Sequence, residues 1–251
     1  MLRAVKREVP QVLIGLLAIA VTVPITAAIV MNGIRDVKGS RDTIVVTGSA
    51  KQPITADLAS WFVSVSSRER TPAAAARSEN AKAAAVDEFL RKAGLADDVS
   101  KPPLDVQETT IQVPTGLAKP RFRAVQAWFV EQSFEVQTEK IDALVRAAAG
   151  VDRLLLQGVD LSVGQIRYLS TKLRKAKFAA LRLATADAEE RASTIAEGLG
   201  GHLGAVRSVR LGVYQITPRN STDVSGEGIL DVSTREKDVT AVVSVTFAVN
   251  R

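Results

Sequence analysis

Lys172–Gly204 reads KLRKAKFAALRLATADAEERASTIAEGLGGHLG. Alanine recurs every fourth residue at Ala176, Ala180, Ala184, Ala188, Ala192 and Ala196, a spacing that stacks small side chains on one face of a helix. Such a narrow strip lets a second helix or a sheet approach closely. Leu173, Leu183, Ile195 and Leu199 add bulk beside it. The stretch from Ser170 to Gly204 is therefore expected to be one long helix. Ser170 or Thr171 caps its start, and Gly198, Gly200, Gly201 and Gly204 supply the left-handed turn that ends it. No nucleophile–base pair and no ligand cluster lies on it. GLGGHLG, at Gly198–Gly204, lacks GxGxxG spacing and closes a helix instead of opening one, so it reads as a helix exit and not as a dinucleotide fingerprint.

Outward from this helix the chain alternates strand and helix signals. Thr43–Thr47 (TIVVT) is rich in β-branched residues and stops at Gly48, and Leu58–Ser67 is its partner, with Ala59, Trp61, Val63 and Val65 on one face. Thr71-Pro72 opens a helix that runs to Ala93 and stops at Gly94. Leu104–Val113 and Arg123–Gln137 form a hairpin with a long tip, and a phase change in the second strand predicts a bulge near Glu131–Ser133. A short helix follows over Thr138–Ala149, then a strand over Leu154–Val163. Beyond the long helix, Val206–Ile216 and Val239–Val249 read as strands. They are joined by the polar segment Pro218–Glu236, longer than an ordinary hairpin loop and a candidate contact loop.

Composition limits the chemistry. The 251 residues are 46% hydrophobic and 24% charged, enough to bury a sizeable core. The absence of cysteine removes disulfides, thiolate catalysis and cysteine-ligated metal. His202 is the single histidine, so a zinc site or a Ser-His-Asp triad would rest on that residue alone. The net charge of +6 is spread among acids, apart from Arg167, Lys172, Arg174, Lys175, Lys177 and Arg182. With aromatics at 4% there is little stacking surface, so no nucleic-acid partner is expected and the basic cluster reads as a solvated face. The adjacent acids Glu189 and Glu190, or Asp97 and Asp98, make no acid–base pair, because neighbouring residues on a helix point apart and those in a loop are usually solvated.

Val12–Met31 carries no charge, and 20 residues at about 1.5 Å each span the hydrocarbon of a bilayer. It reads as a retained membrane anchor in preference to a cleaved signal peptide, although Pro24, Thr26, Ala27 and Ala28 resemble a processing region. Arg3, Lys6 and Arg7 precede it against one acid, Glu8, which places the N-terminus in the cytoplasm and the remainder outside. The expected organisation is residues 1–10 cytoplasmic, 11–32 transmembrane, 33–42 linker and 43–251 one α+β domain of largely antiparallel sheet with one long and two shorter helices.

Several pieces, taken in order, resemble the SIMPL-domain family of bacterial envelope proteins. They are TIVVTGSAKQPI at Thr43–Ile54, the pairs Ala184-Thr185, Asp187-Ala188, Arg191-Ala192 and Ile195-Ala196, and Leu199-Gly200 with Leu203-Gly204. A membrane-anchored subgroup is resembled in Asp57 and Trp61, in Tyr168 with Leu173 and Lys177, in GVYQITP at Gly212–Pro218, and in REKDVTAVVSVTF at Arg235–Phe247. The longer Gly164–Arg174 segment departs from the commoner soluble members. The resemblance implies a periplasmic α+β domain, no cofactor, no metal, no catalytic residues and a tendency to ring-like homo-oligomers linked to envelope integrity or oxidative stress. Asp57, Trp61, Tyr168, Lys177 and Arg191 are the candidate pocket residues within it, more often structural hydrogen-bond or ion-pair groups than ligand contacts. The expected function is that of a non-enzymatic, single-pass inner-membrane scaffold, held in the bilayer by Val12–Met31. A tethered binding module for a peptide, lipid or cell-wall fragment is the alternative, and an envelope hydrolase has only the location in its favour.

Overall fold

The computed structural model describes residues 42–115 and 121–250. The anchor expected at Val12–Met31 and its linker lie outside them; among the described residues, no helix is long and apolar enough to cross a membrane. The described residues divide into two compact units, one made of residues 42–50, Leu181–Gly212 and 242–250, the other of Lys51–Ala180 and Val213–Ala241. The fold is α+β, with almost entirely antiparallel sheets, as the strand and helix signals require.

The first unit is built on the alanine strip. The long helix, α4, runs Leu173–Gly198, and in this unit Ala184, Ala188, Ala192 and Ala196 are all fully buried. Strand β1 (Thr43–Thr55) crosses them at Gly48. The approach is so close that a Cβ on Gly48 would fall within 2.7 Å of Ala184 O, Ala188 N and Ala188 Cβ. Beside β1 runs the second half of β11 (Glu236–Asn250), whose Val249 N–H donates to Asp42 O at 2.8 Å. On the far side of β11 lies β8 (His202–Leu211), antiparallel from Val243↔Leu211 to Asn250↔His202. Helix α4 ends at Gly200 (φ 75°): the N–H of Gly200 reaches Glu197 O and that of Gly201 reaches Ala196 O, so the helix exit is confirmed.

The second unit centres on β2 (Leu58–Glu69) and β5 (Arg121–Thr138), paired antiparallel from Ala59↔Thr138 to Glu69↔Trp128. Strand β3 (Val99–Ser100) and β4 (Asp105–Thr115) pair with β5, while β6 (Leu161–Val163) and β7 (Arg167–Leu169) pair with β2. Helix α1 (Pro72–Lys92) starts as its sequence predicts, with Thr71 Oγ1 accepting from Ala74 N–H at 3.2 Å. Its Val86 and Leu90 pack with Trp61, Val63, Phe134 and Val136 in the core, closed by α2 (Ile141–Ala149). The remaining strands are β9 (Gln215–Pro218), antiparallel to the first half of β11, and β10 (Ile229–Leu230), parallel to β9.

Three sequence expectations are corrected. Leu154–Val163 is not one strand: α3 (Asp152–Leu156) occupies its start, burying Leu154 while Leu155 and Leu156 face solvent, and Gly158 (φ 81°) turns the chain into β6. Val206–Ile216 is likewise two strands. β8 begins earlier, at His202, and the chain leaves it at Gly212, whose N–H bonds Val242 O. No bulge occurs at Glu131–Ser133, where the register against β2 is unbroken. Burial does shift from Val125 and Ala127 to Val130, Phe134 and Val136, so the covered face changes while the pairing does not slip.

Gly48→Ala is expected to lower unfolding stability by about 3 kcal/mol, because the atoms it strikes, two of the backbone and the Cβ of Ala188, cannot rotate away. Gly198→Ala, with open space around its Cβ, should stay within about 1 kcal/mol of the parent. Urea melts of the two variants check the contrast.

Candidate functional site

Within the second unit, a cleft of about 120 Å³ opens between the start of α4, β7 and the strand pair β9–β10. Its walls are Ile54, Tyr168, Leu169, Leu173, Ile216 and Leu230, with Ser170, Val232, Asp231 and Lys237 completing it. The polar segment Pro218–Glu236 builds much of this site. It folds back instead of projecting: Gln215 donates its side-chain amide to Ser225 O at 2.7 Å, and Asp231 N–H reaches Ile216 O at 2.8 Å.

At the cleft, Lys237 is 3% exposed and donates from Nζ to Asp231 O at 2.8 Å and to Asp231 Oδ2 at 2.9 Å. The same carboxylate accepts from Ser233 N–H and Oγ and from the N–H and Oγ1 of Thr234. Burial pushes the Asp231 carboxyl up, but the hydroxyls of Ser233 and Thr234 and the Lys237 ammonium outweigh it and hold the group well below the usual carboxylate range. The pair is thus ionised and saturated within itself.

Asp57 fixes the approach to α4. Its Oδ1 accepts from Thr171 N–H and its Oδ2 from Thr171 Oγ1, both at 2.7 Å, with Lys172 Nζ 3.4 Å away. Partial burial raises the Asp57 carboxyl, and the Thr171 donors with Lys172 bring it below its ordinary value. Ser170 Oγ accepts Lys172 N–H, so Ser170 and Thr171 hold the chain just ahead of α4 through Lys172 and Asp57 instead of capping the helix N–H groups as expected.

The other candidates are dispersed. Tyr168 lines the cleft, while Lys177 stands 5.4 Å over the ring of Tyr214. Trp61 is buried and donates Nε1–H to Gly164 O at 3.0 Å, beside a separate cavity of about 380 Å³ with Phe62, Gln165 and Arg167. Arg191 belongs to the first unit, where its Nε reaches Asp187 Oδ1 at 2.9 Å. The other Asp187 oxygen accepts Ser49 N–H at 2.8 Å. That N–H, followed by Arg191, lowers the Asp187 carboxyl, and the trio pins β1 beside α4 within this unit. His202 is exposed at the start of β8. Among the described residues, no three His, Cys, Asp or Glu side chains gather in a way that could hold a metal ion.

Two features escape the sequence candidates. One is the Asp231–Lys237 pair, with Asp231 in the candidate contact loop Pro218–Glu236 and Lys237 near the start of β11. The other is Glu79 on α1, fully buried with neither carboxylate oxygen hydrogen-bonded. Its signal is in the sequence: Ala75, Glu79, Val86 and Leu90 share one helix face, and all are buried. Burial pushes the Glu79 carboxyl up to about 7, held back by Lys82 and by the nearby Ser67 and Gln132, and pushed further by Glu131. Sealed from solvent, it offers no chemistry to a substrate.

Two predictions follow from these buried charges. Lys237→Met, which strands the Asp231 carboxylate, should cost about 3–5 kcal/mol in denaturant unfolding, and removal of both charges together should cost less. Glu79 titrates at 4.5 in the free chain and at about 7 in the fold. Its contribution to stability is therefore fully present below 4.5 and falls as pH rises through 7. The stability of Glu79→Gln relative to the parent should climb by about 3 kcal/mol across that window, measured by urea melts at pH 4.5 and 7.5.

The family model described as "Protein of unknown function (DUF541)" matches residues 44–247. No curated protein matches the chain.

Proposed function

This chain belongs to the SIMPL family, and from that premise we propose that it is a non-enzymatic envelope scaffold, tethered to the bacterial inner membrane and assembled from copies of itself. The observation that carries this reading is the surface of the first unit. Strand β8 pairs with β11 alone among the described residues, yet Val206, Val209 and Leu211 on it are 55%, 53% and 63% exposed. Val206 and Val209 line a groove of about 530 Å³ together with Glu189, Ser193, Val245 and Phe247. A long open edge with apolar side chains is a template for association. The candidate site supports the same reading from the other direction, because its two charged groups, Asp231 and Lys237, satisfy one another.

In this reading Val12–Met31 is the tether, residues 1–10 stay in the cytoplasm and the SIMPL domain stands in the periplasm. Contacts between unlike surfaces of successive copies close into rings when the rotation per copy divides a full turn. The mass of the detergent-solubilised full chain, measured by light scattering beside that of residues 39–251, tests it. One closed multiple of the 26.8 kDa chain for the full protein, with the same subunit number for the fragment, is the expected result. Monomers in both would overturn the scaffold.

A further inference from the structure

The two faces of β2 differ in character. Trp61, Val63, Phe134 and Val136 belong to the core, so by alternation Ser60, Phe62 and Ser64 stand on the opposite face of the sheet. That face is polar, with Ser64 lying between Ser133 on β5 and Ser162 on β6. Phe62 is 39% exposed among these serines. One exposed ring is ordinary by itself. What surrounds this one is not.

Phe62 lines the cavity of about 380 Å³ beside Trp61, a size within the range of small-ligand sites. Glu135 is the neighbour of Phe62 on β5, while Gln137 and Arg167 stand on either side of Ser60, one on β5 and the other on β7. At about 4.8 Å between strands, the backbones of Gln137 and Arg167 are about 10 Å apart. The turn between β6 and β7 brings in Gln165. Two bonds pin that turn to β2: Gly164 N–H donates to Phe62 O at 2.8 Å, and Gly164 O accepts Trp61 Nε1–H at 3.0 Å. Trp61 thus holds one wall of the cavity in place from the core side, and the site is formed in advance of any ligand.

Its polar groups are unused. Glu135, Gln137, Gln165 and Arg167 are all exposed, and none of these four side chains makes a hydrogen bond or ion pair with another described residue. The contrast is with Asp231 and Lys237, which saturate each other at the smaller cleft. One carboxylate and one guanidinium leave the cavity without net charge, so its field favours neither a polyanion nor a polycation. Two amides, an acceptor-only carboxylate and a donor-only guanidinium supply both senses of hydrogen bond beside one aromatic ring.

We propose that this cavity binds a neutral sugar chain, with one pyranose ring lying on Phe62. A pyranose presents C–H groups on its faces and hydroxyls around its rim. The C–H groups pack on the electron-rich face of an aromatic ring. Each hydroxyl both donates and accepts, so neighbouring hydroxyls pair with the amide, carboxylate and guanidinium groups around that ring. An apolar ligand would desolvate the four polar side chains without pairing them, and an anionic one would meet Glu135. This binding activity goes beyond the scaffold reading and does not depend on self-association.

Isothermal titration calorimetry of the full chain, in a detergent without a sugar headgroup, tests the site with two neutral tetrasaccharides, cellotetraose and tetra-N-acetylchitotetraose. At least one should bind. Phe62→Ala should weaken that binding by about tenfold, and Phe62→Tyr, which keeps the ring, should retain it. Gln137→Ala and Arg167→Ala should each weaken it by about three- to tenfold. Phe178→Ala removes an exposed ring on α4 and should change nothing. The substituted side chains are outside the core, and far-ultraviolet circular dichroism checks that each variant remains folded. No binding of either sugar at millimolar concentration would overturn the proposal, as would binding that survives Phe62→Ala or is lost equally in Phe178→Ala. Tighter binding of the anionic tetragalacturonate than of both neutral sugars would overturn the ligand class.

Discussion

The first unit depends on a strand and a helix meeting at a distance that excludes a single methyl group. Gly48 lies against the backbone of α4 between Ala184 and Ala188, so β1 can sit only where the sequence offers no side chain on both partners at once. This is a steric constraint before it is an attractive force. It fixes the register of β1 on α4 within the unit, and the bonds from Ser49 N–H to Asp187 and from Arg191 to Asp187 then hold that register in place. Alanine at every fourth position serves the same end as glycine in the strand, because one larger side chain in the strip would lift the strand off the helix.

The second unit handles its buried charge in two opposite ways. Lys237 and Asp231 form a closed set with two hydroxyls and two backbone N–H groups, and the low dielectric around them strengthens those bonds. Glu79 is offered no such set. Burial between α1 and the β2–β5 pair raises its carboxyl to about 7, and Lys82 turns away to Ser66 O and Asp160. The contrast explains why only one of the two acids lies well below the ordinary carboxylate range.

What the sequence discloses and what it hides follows from the range of each signal. The long helix, the Thr71-Pro72 start of α1 and the last strand are legible because their periods are local and persist over many residues. The triple Leu154–Leu156 has no period, so strand and helix were equally consistent with it until the turn at Gly150 and Gly158 decided. Gly212 sits inside Val206–Ile216, an imperfect alternation that reads as one strand, and only its bond to Val242 O shows the chain leaving β8. Among the candidate side chains, Asp57 and Tyr168 stand close to the start of α4, while Arg191 holds a different contact in the other unit. Residue type alone does not separate these roles, because some depend on partners far along the chain, as Asp57 does on Thr171 and Trp61 on Gly164, while Arg191 binds Asp187 one helical turn away.

The first unit is assembled from three stretches of chain far apart in sequence: the opening strand, the second part of the long helix with β8, and the last strand. Ser49 and Asp187, which bond directly, are separated by 138 residues. During synthesis the β-branched TIVVT strand therefore emerges long before either the helix that covers it or the strand that pairs with it. Closing so wide a loop is slow, though the entropy it adds grows only with the logarithm of its length. Until then an apolar strand with two bare edges is exposed to every other chain being made, so the folding of this unit is a race between its own far end and its neighbours.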